Sequence, residues 1–311
     1  MRKVNIVFLV GLCVGALAAL VVVVATPQRH VVTALGPAPV AAAGTDRSTA
    51  EVRDSPAATT SGTTTGSAAA GTAKTKPAGA GKDNTAQALA SLVPDGHVSV
   101  VVYDRQDKTT VLSVDADRTY TSASLVKLMI AFQALDNGAD PARVTEMLER
   151  SDDNTASDLW VTYGWGSIVD NAVRRMGLTG THPPASPGHW GDTQITADDI
   201  TKIYRYLVEE APERDRTIIL AALHHPTVHG ADGIRQFFGI PDAVGPGNFA
   251  VKQGWSCCEP DHSIMLHTSG LVYDDRFIVT VLTQQPAAAD YTKASAQLTA
   301  VVKNLVPLLK K

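Results

Sequence analysis

Along this chain the first pattern is an unbroken apolar run, IVFLVGLCVGALAALVVVVA, over residues 6–25. Twenty helical residues rise about 30 Å, the thickness of a bilayer core. Arg2 and Lys3 precede the run, and positive charge on that flank stays in the cytoplasm. The rest of the chain is therefore expected outside. Two fates fit residues 1–30, an uncleaved signal-anchor or a signal peptide cut near Ala25; the length of the run favours the anchor. Residues 31–83 are rich in Ala, Thr, Gly and Pro and poor in large apolar side chains. Such a stretch buries too little surface to offset the entropy of ordering it, so a disordered stalk is predicted. Residues 84–311 form the one segment able to build a sizeable core.

Within that segment the periodicity changes several times. A short helix is predicted over 85–93, then two alternating strands across 97–114 joined at 104–108. A largely buried helix follows, ending at Asn137 and Gly138. Residues 141–164 are helical on both sides of a polar break at 151–154, and another helix covers 167–176. A long loop, GTHPPASPGHWGDTQ, spans 180–194. Thr196 can cap the next helix, with Asp199 three residues on, close to a capping box. That helix runs to about residue 210, and a shorter one covers 215–223. Three strands then fall at 249–255, 263–273 and 276–284, with polar connections suited to antiparallel hairpins. A helix over about 288–309 closes the chain. The order predicts an α+β fold: an antiparallel sheet from both chain ends, flanked by helices, with an inserted all-helical lobe and a cleft between the two.

Composition narrows the function classes. Net charge is −4, with no basic patch and no glycine-rich phosphate loop, so no nucleic-acid partner is expected. His182, His189, His224, His225 and His229 lack metal-ligand spacing, and neither metal nor cofactor is expected. Trp160, Trp165 and Trp190 are assigned to packing of the helical lobe. Cys13 follows Leu12 rather than the small residue a lipidated cysteine needs, and is read as a membrane-buried hydrophobe. Cys257 and Cys258 are adjacent, and two free thiols are expected. His267 either lines the cleft or is a satisfied strand histidine.

Three short groups carry possible chemistry. In Ser124-Leu125-Val126-Lys127 the serine and lysine share a helical face, and backbone N–H groups at a helix start favour an oxyanion. Lys127 would activate the Ser124 hydroxyl if its pKa falls. Ser151-Asp152-Asp153-Asn154 offers a second hydroxyl and an amide; its plain reading is a helix cap. Lys252-Gln253-Gly254-Trp255 lies on a strand whose edge can hold an extended substrate. Each alone is a weak signal.

Taken in order, Ser-x-x-Lys, Ser-Asp and a late-strand Lys-x-Gly resemble the penicillin-recognising serine enzymes, the class A beta-lactamases and D,D-peptidases, over residues 98–309. The resemblance implies that Ser124 is acylated and Lys127 activates it. Ser151 and Lys252 would pass a proton to the leaving group, and the N–H groups of Ser124 and Trp255 would hold the oxyanion. Asp153, Asn154, Gln253 and Gly254 would contact substrate. Four departures stand out. Asp153 occupies the register of the family's Asn, with Asn154 one residue late. Gln253 replaces a hydroxyl residue that helps hold a substrate carboxylate. Only 27 residues separate Ser124 from Ser151, so the helical lobe is reduced. The loop from 177 to 196 holds no glutamate, and its one acid is Asp192. The expectation is an extracytoplasmic, monomeric serine hydrolase acting on a small beta-lactam or a peptidoglycan-type peptide and bound to the membrane through its N-terminal segment. A D,D-peptidase or esterase of the same fold is one alternative. A non-catalytic, surface-tethered binding protein with a degenerate cleft is another.

Overall fold

A computed structural model describes residues 80–258 and 262–310. The apolar run and most of the stalk lie outside the described residues. Among the described residues, no helix is long and apolar enough to cross a membrane. The first helix, α1, covers Ala80–Ala90 and begins inside the stretch expected to be stalk.

Five strands make one antiparallel sheet: β1 (His97–Asp104), β2 (Thr109–Val114), β5 (Phe249–Cys257), β6 (Ser263–Val272) and β7 (Phe277–Pro286), in the order β2-β1-β7-β6-β5. Strands from before and after the inserted helices thus meet at the β1–β7 pair, where Val100 faces Val281. Alternating side chains leave a strand on opposite faces, and both faces here are apolar. Val100 and Val102 join Val279 and Val281 in a core under the C-terminal helix α9 (Asp290–Leu305). Val101 and Tyr103 join Ile278 and Leu282 in a second core, shared with the helices inserted between β2 and β5. The result is helix, sheet, helix.

The inserted block contains α2 (Lys127–Asp136), α3 (Pro141–Glu149), α4 (Asp153–Tyr163), α5 (Ser167–Met176), α6 (Ala197–Glu209), α7 (Glu213–His224) and the short α8 (Ile240–Val244). A two-stranded ribbon of β3 (Tyr120–Thr121) and β4 (Gln194–Ile195) ties the entry to α2 to the exit of the long loop. The ribbon and α8 leave no readable period, being too short. The architecture agrees with the expected α+β fold and its inserted helical segment.

Local signals act as expected in several places. Asp140 caps α3 by accepting from Ala142 N, with Pro141 at the first turn. Asp152 caps α4 by accepting from Thr155 N. Thr196 Oγ1 accepts from Asp199 N at 3.1 Å. The capping box itself is not completed. The Asp199 carboxylate turns to the start of the long loop, accepting from Thr179 N, Gly180 N at 2.8 Å and Thr181 Oγ1 at 2.8 Å.

Candidate active site

Ser124 lies in a buried 3-10 turn, Ala123–Val126, that leads into α2. Three neighbours set its place. Ser122 N donates to Thr193 O at 2.8 Å, and Ser122 Oγ to Gly191 O at 3.2 Å, so the long loop holds the turn from one side. Leu125 N donates back to Ser122 O. On the other side is Gly254 of β5. A Cβ there would lie 3.0 Å from Ser122 O and 3.2 Å from Leu125 Cγ. Gly254, assigned to substrate from sequence, thus admits the serine turn against the strand. The backbone at Ala123 (φ 45°) and at Ser151 (φ 51°) is left-handed, a conformation that non-glycine residues hold only under surrounding constraint. Ala123 lines the candidate cleft, and Ser151 lies against the Lys127 side chain.

Lys127 begins α2, one turn beyond Ser124, and is fully buried. Its Nζ donates to Ser124 Oγ at 2.6 Å, to Ser151 O at 3.1 Å, to Ser151 Oγ at 3.3 Å and to Asp153 Oδ1 at 2.5 Å. Ser151 sits in the break between α3 and α4 and also accepts from Lys252 Nζ at 2.9 Å. Lys252 is buried and donates as well to Gln253 O at 3.1 Å. Two amines therefore share one hydroxyl, and Ser124, Lys127, Ser151 and Lys252 form one continuous chain of contacts. Burial lowers the pKa of Lys127, and the Asp153 carboxylate partly restores it. Burial and then repulsion from Lys127 push Lys252 well below the ordinary lysine range. Both shifts move the amines toward the neutral form that can take a proton.

Of the four, Ser124 lines a cleft of about 550 Å³, together with Asp153, Trp190, Asp232, Trp255 and Tyr291, among others; Lys127, Ser151 and Lys252 are buried, and Lys127 reaches the lining through Ser124 and Asp153. β5 is an edge strand, and Trp255 on it lines the same cleft as Ser124.

The expected substrate contacts divide. Asp153 lines the cleft, its side chain 62% exposed and paired to Lys127. Asn154 is exposed on α4 and does not line the cleft; the loop makes no one-residue shift to bring it in, because Asp152 is already committed to the cap. Gln253 departs from its expected role. It is buried, and Nε2 donates to Gln236 O at 2.8 Å and Phe238 O at 2.7 Å. Strand alternation explains this: Lys252 points toward the helical lobe, so Gln253 points to the opposite face. His267 is also buried, its Nε2 near Thr121 O and its Nδ1 near Thr283 N; it is a satisfied strand histidine. Asp192 faces His189 at 3.4 Å and does not line the cleft.

Some cleft residues carry no sequence signal. The Trp190 ring stacks over Lys127 Nζ at 4.6 Å, whereas sequence assigns Trp190 to packing; the flanking glycines in GHWGD were the available hint. Trp160 does pack, with Nε1 donating to Pro187 O, while Trp165 is exposed. Asp232 accepts from Trp255 Nε1 at 2.7 Å. Cys257 and Cys258, expected as free thiols, are joined in a vicinal disulfide at the cleft rim. Among the described residues, no group of three or more His, Cys, Asp or Glu is placed to hold a metal ion.

No model of a known protein family matches the chain. Among curated proteins, it is 33% identical to "Putative lipoprotein LppW" of Mycobacterium tuberculosis strain H37Rv over 222 residues, 68% of this chain and 69% of the relative. The protein of the same name from Mycobacterium bovis matches equally. Among solved structures, the TLA-3 extended-spectrum beta-lactamase superposes with a TM-score of 0.62 at 13% identity, covering 74% of this chain and all of that one. The class A beta-lactamase from Mycobacterium abscessus gives 0.60 at 18%, over 73% of this chain and all of that one. PBP-A gives 0.60 at 16%, over 73% and 96%.

Proposed function

The chain belongs to the family of the mycobacterial LppW proteins and to the beta-lactamase/transpeptidase-like fold superfamily, and from that premise we propose that it is an extracytoplasmic serine hydrolase acylated on Ser124. One observation carries the reading: the two buried amines, Lys127 and Lys252, meet on Ser151 Oγ while Lys127 also reaches Ser124 Oγ.

In the proposed reaction Lys127 takes the Ser124 proton, and Oγ bonds to the substrate carbonyl carbon. The N–H groups of Ser124 and Trp255 stabilise the oxyanion. The carbonyl bond to the leaving nitrogen or oxygen then breaks. Ser151 and Lys252 return the proton to that leaving atom, so the amine or alcohol departs neutral and the acyl group stays on Ser124. Water later cleaves the acyl ester and restores the hydroxyl. Among the described residues, no carboxylate of the 177–196 loop lines the cleft to activate that water, so the acyl-enzyme is expected to clear slowly. This favours a penicillin-binding, peptidase- or esterase-like enzyme over a fast beta-lactamase.

Asp153 supports a second reading. Its ion pair with Lys127 stabilises the ammonium form, and a permanently charged Lys127 would leave a tethered binding protein. For the tether, we propose the apolar run at 6–25 rather than a lipid on Cys13, because Leu12 precedes that cysteine; cleavage near Ala25 would instead release the domain.

The test is to incubate the full chain and Ser124→Ala with a reporter penicillin and a fluorescent fluorophosphonate, then follow adduct mass and its decay. A single slowly decaying adduct, absent in Ser124→Ala, is expected. A folded protein that forms no adduct with either reagent overturns the hydrolase reading in favour of the binding one.

A further inference from the structure

The cleft has an electrostatic character opposite to that of a carboxylate-binding site. Asp153 and Asp232 both line it, and both are exposed. Lys127 and Lys252 are not among its lining residues; both are buried and already donate to protein oxygens. No arginine is among the described residues that line it. Gln253, which stands where a carboxylate-holding residue is expected, is turned to the far face of β5 with both Nε2 donors engaged.

The mouth supplies a different kind of partner. Trp255 and Tyr291 line it beside Asp232, and Asp232 fixes the indole through its 2.7 Å bond to Nε1. The close approach of Gly230 to the outer edge of that ring, where a Cβ would lie 3.0 Å from Trp255 Cζ2, keeps the loop carrying Asp232 against the indole. An aromatic face next to a carboxylate attracts an organic cation twice, through the ring quadrupole and through the charge. The field of Asp232 extends inward as well, since it helps raise the pKa of Tyr291 and opposes the fall of Lys252.

We propose that this cleft selects acyl substrates bearing an ammonium group over substrates bearing a carboxylate, with Asp232, Trp255 and Tyr291 receiving the cation. The proposal rests on the acyl-enzyme reading. It separates this chain from enzymes whose substrates enter carboxylate first. Because Asp232 is exposed, the preference weakens as ionic strength rises.

Three p-nitrophenyl esters of equal length test it on the full chain: one ending in trimethylammonium, one in a neutral tert-butyl group, one in a carboxylate. A neutral fluorophosphonate reports Ser124 reactivity independently. The cationic ester is expected to acylate Ser124 about tenfold or more faster than the anionic one, with the neutral ester between them. Asp232→Asn keeps an acceptor for Trp255 Nε1 but removes the charge, and should cut that ratio at least threefold; added salt should narrow it too. If the fluorophosphonate labels Ser124 but the carboxylate ester reacts as fast as the cationic one, the selectivity is refuted and the hydrolase reading stands. An unchanged ratio in Asp232→Asn also refutes it. If nothing labels Ser124, both fall together.

Discussion

Two buried ionic groups in this protein differ in what surrounds them. Asp199 is fully buried, and its carboxylate accepts from Thr179 N, Gly180 N and Thr181 Oγ1 and pairs with Lys202 at 3.0 Å. Burial opposes its ionisation, but the two backbone donors, Lys202 and Thr181 together outweigh it and the pKa falls. Lys252 is equally buried but meets only neutral oxygens, Ser151 Oγ and Gln253 O, with Lys127 close by. There burial and like charge act together, and its pKa falls far. A charged group that is fully satisfied holds structure; one that is left short of counter-charge exchanges protons. The same degree of burial thus gives an anchor in one place and, in the proposed reaction, a proton-transfer group in the other.

The largest effect should come from the reactive side. Lys127→Ala is expected to slow labelling of Ser124 by fluorophosphonate by about 10²–10⁴-fold, the usual contribution of a positioned base. Labelling at the parent rate would make Lys127 structural and erase the contrast.

On the anchoring side, Asp199→Ala leaves two backbone donors and the Thr181 hydroxyl without their acceptor, while Lys202 keeps Asp198 at 2.9 Å. A loss of about 2–4 kcal/mol is expected in urea unfolding. A loss under about 1 kcal/mol would mean the loop start is held by something else.

His267 is a third buried group, and it sharpens the comparison by pH. Burial depresses its pKa to about 4 from 6.5. The unfolded state therefore binds the proton first as pH falls. Stability contributed by neutral His267 is complete above about pH 6.5 and is lost as pH drops toward 4, roughly 3 kcal/mol in all. Melting temperature followed across that window should fall for the parent and fall less for His267→Asn.

A smaller effect of opposite sign is expected at Lys252. Lys252→Met removes a poorly compensated buried amine and should raise stability by about 1 kcal/mol in urea unfolding while slowing Ser124 acylation. Destabilisation would show that Lys252 anchors structure as Asp199 does. The most modest change belongs to Asp153→Asn. Removing that carboxylate takes away a group that favours the Lys127 ammonium, so the acidic limb of the acylation profile should move to lower pH. A limb that moves upward would contradict the ion pair's role.

Much of this molecule was readable from short-range pattern. Strand alternation, helical periodicity and the caps at Asp140, Asp152 and Thr196 are local properties, settled within a few residues of chain. The pairing of Ser124 with Lys127 is local too, because one helical turn separates them. Tertiary structure decided the rest. Ser151 and Lys252 lie 101 positions apart, and only the packing of the helical block against β5 brings them together. Only the sheet's two faces determine that Lys252 meets Ser151 of the helical block while Gln253 turns to the opposite side. Asp232 and Tyr291 are unremarkable in sequence and reach the mouth through a loop and the C-terminal helix. Periodicity tells which way a side chain points from its own element; what it meets there depends on elements far along the chain.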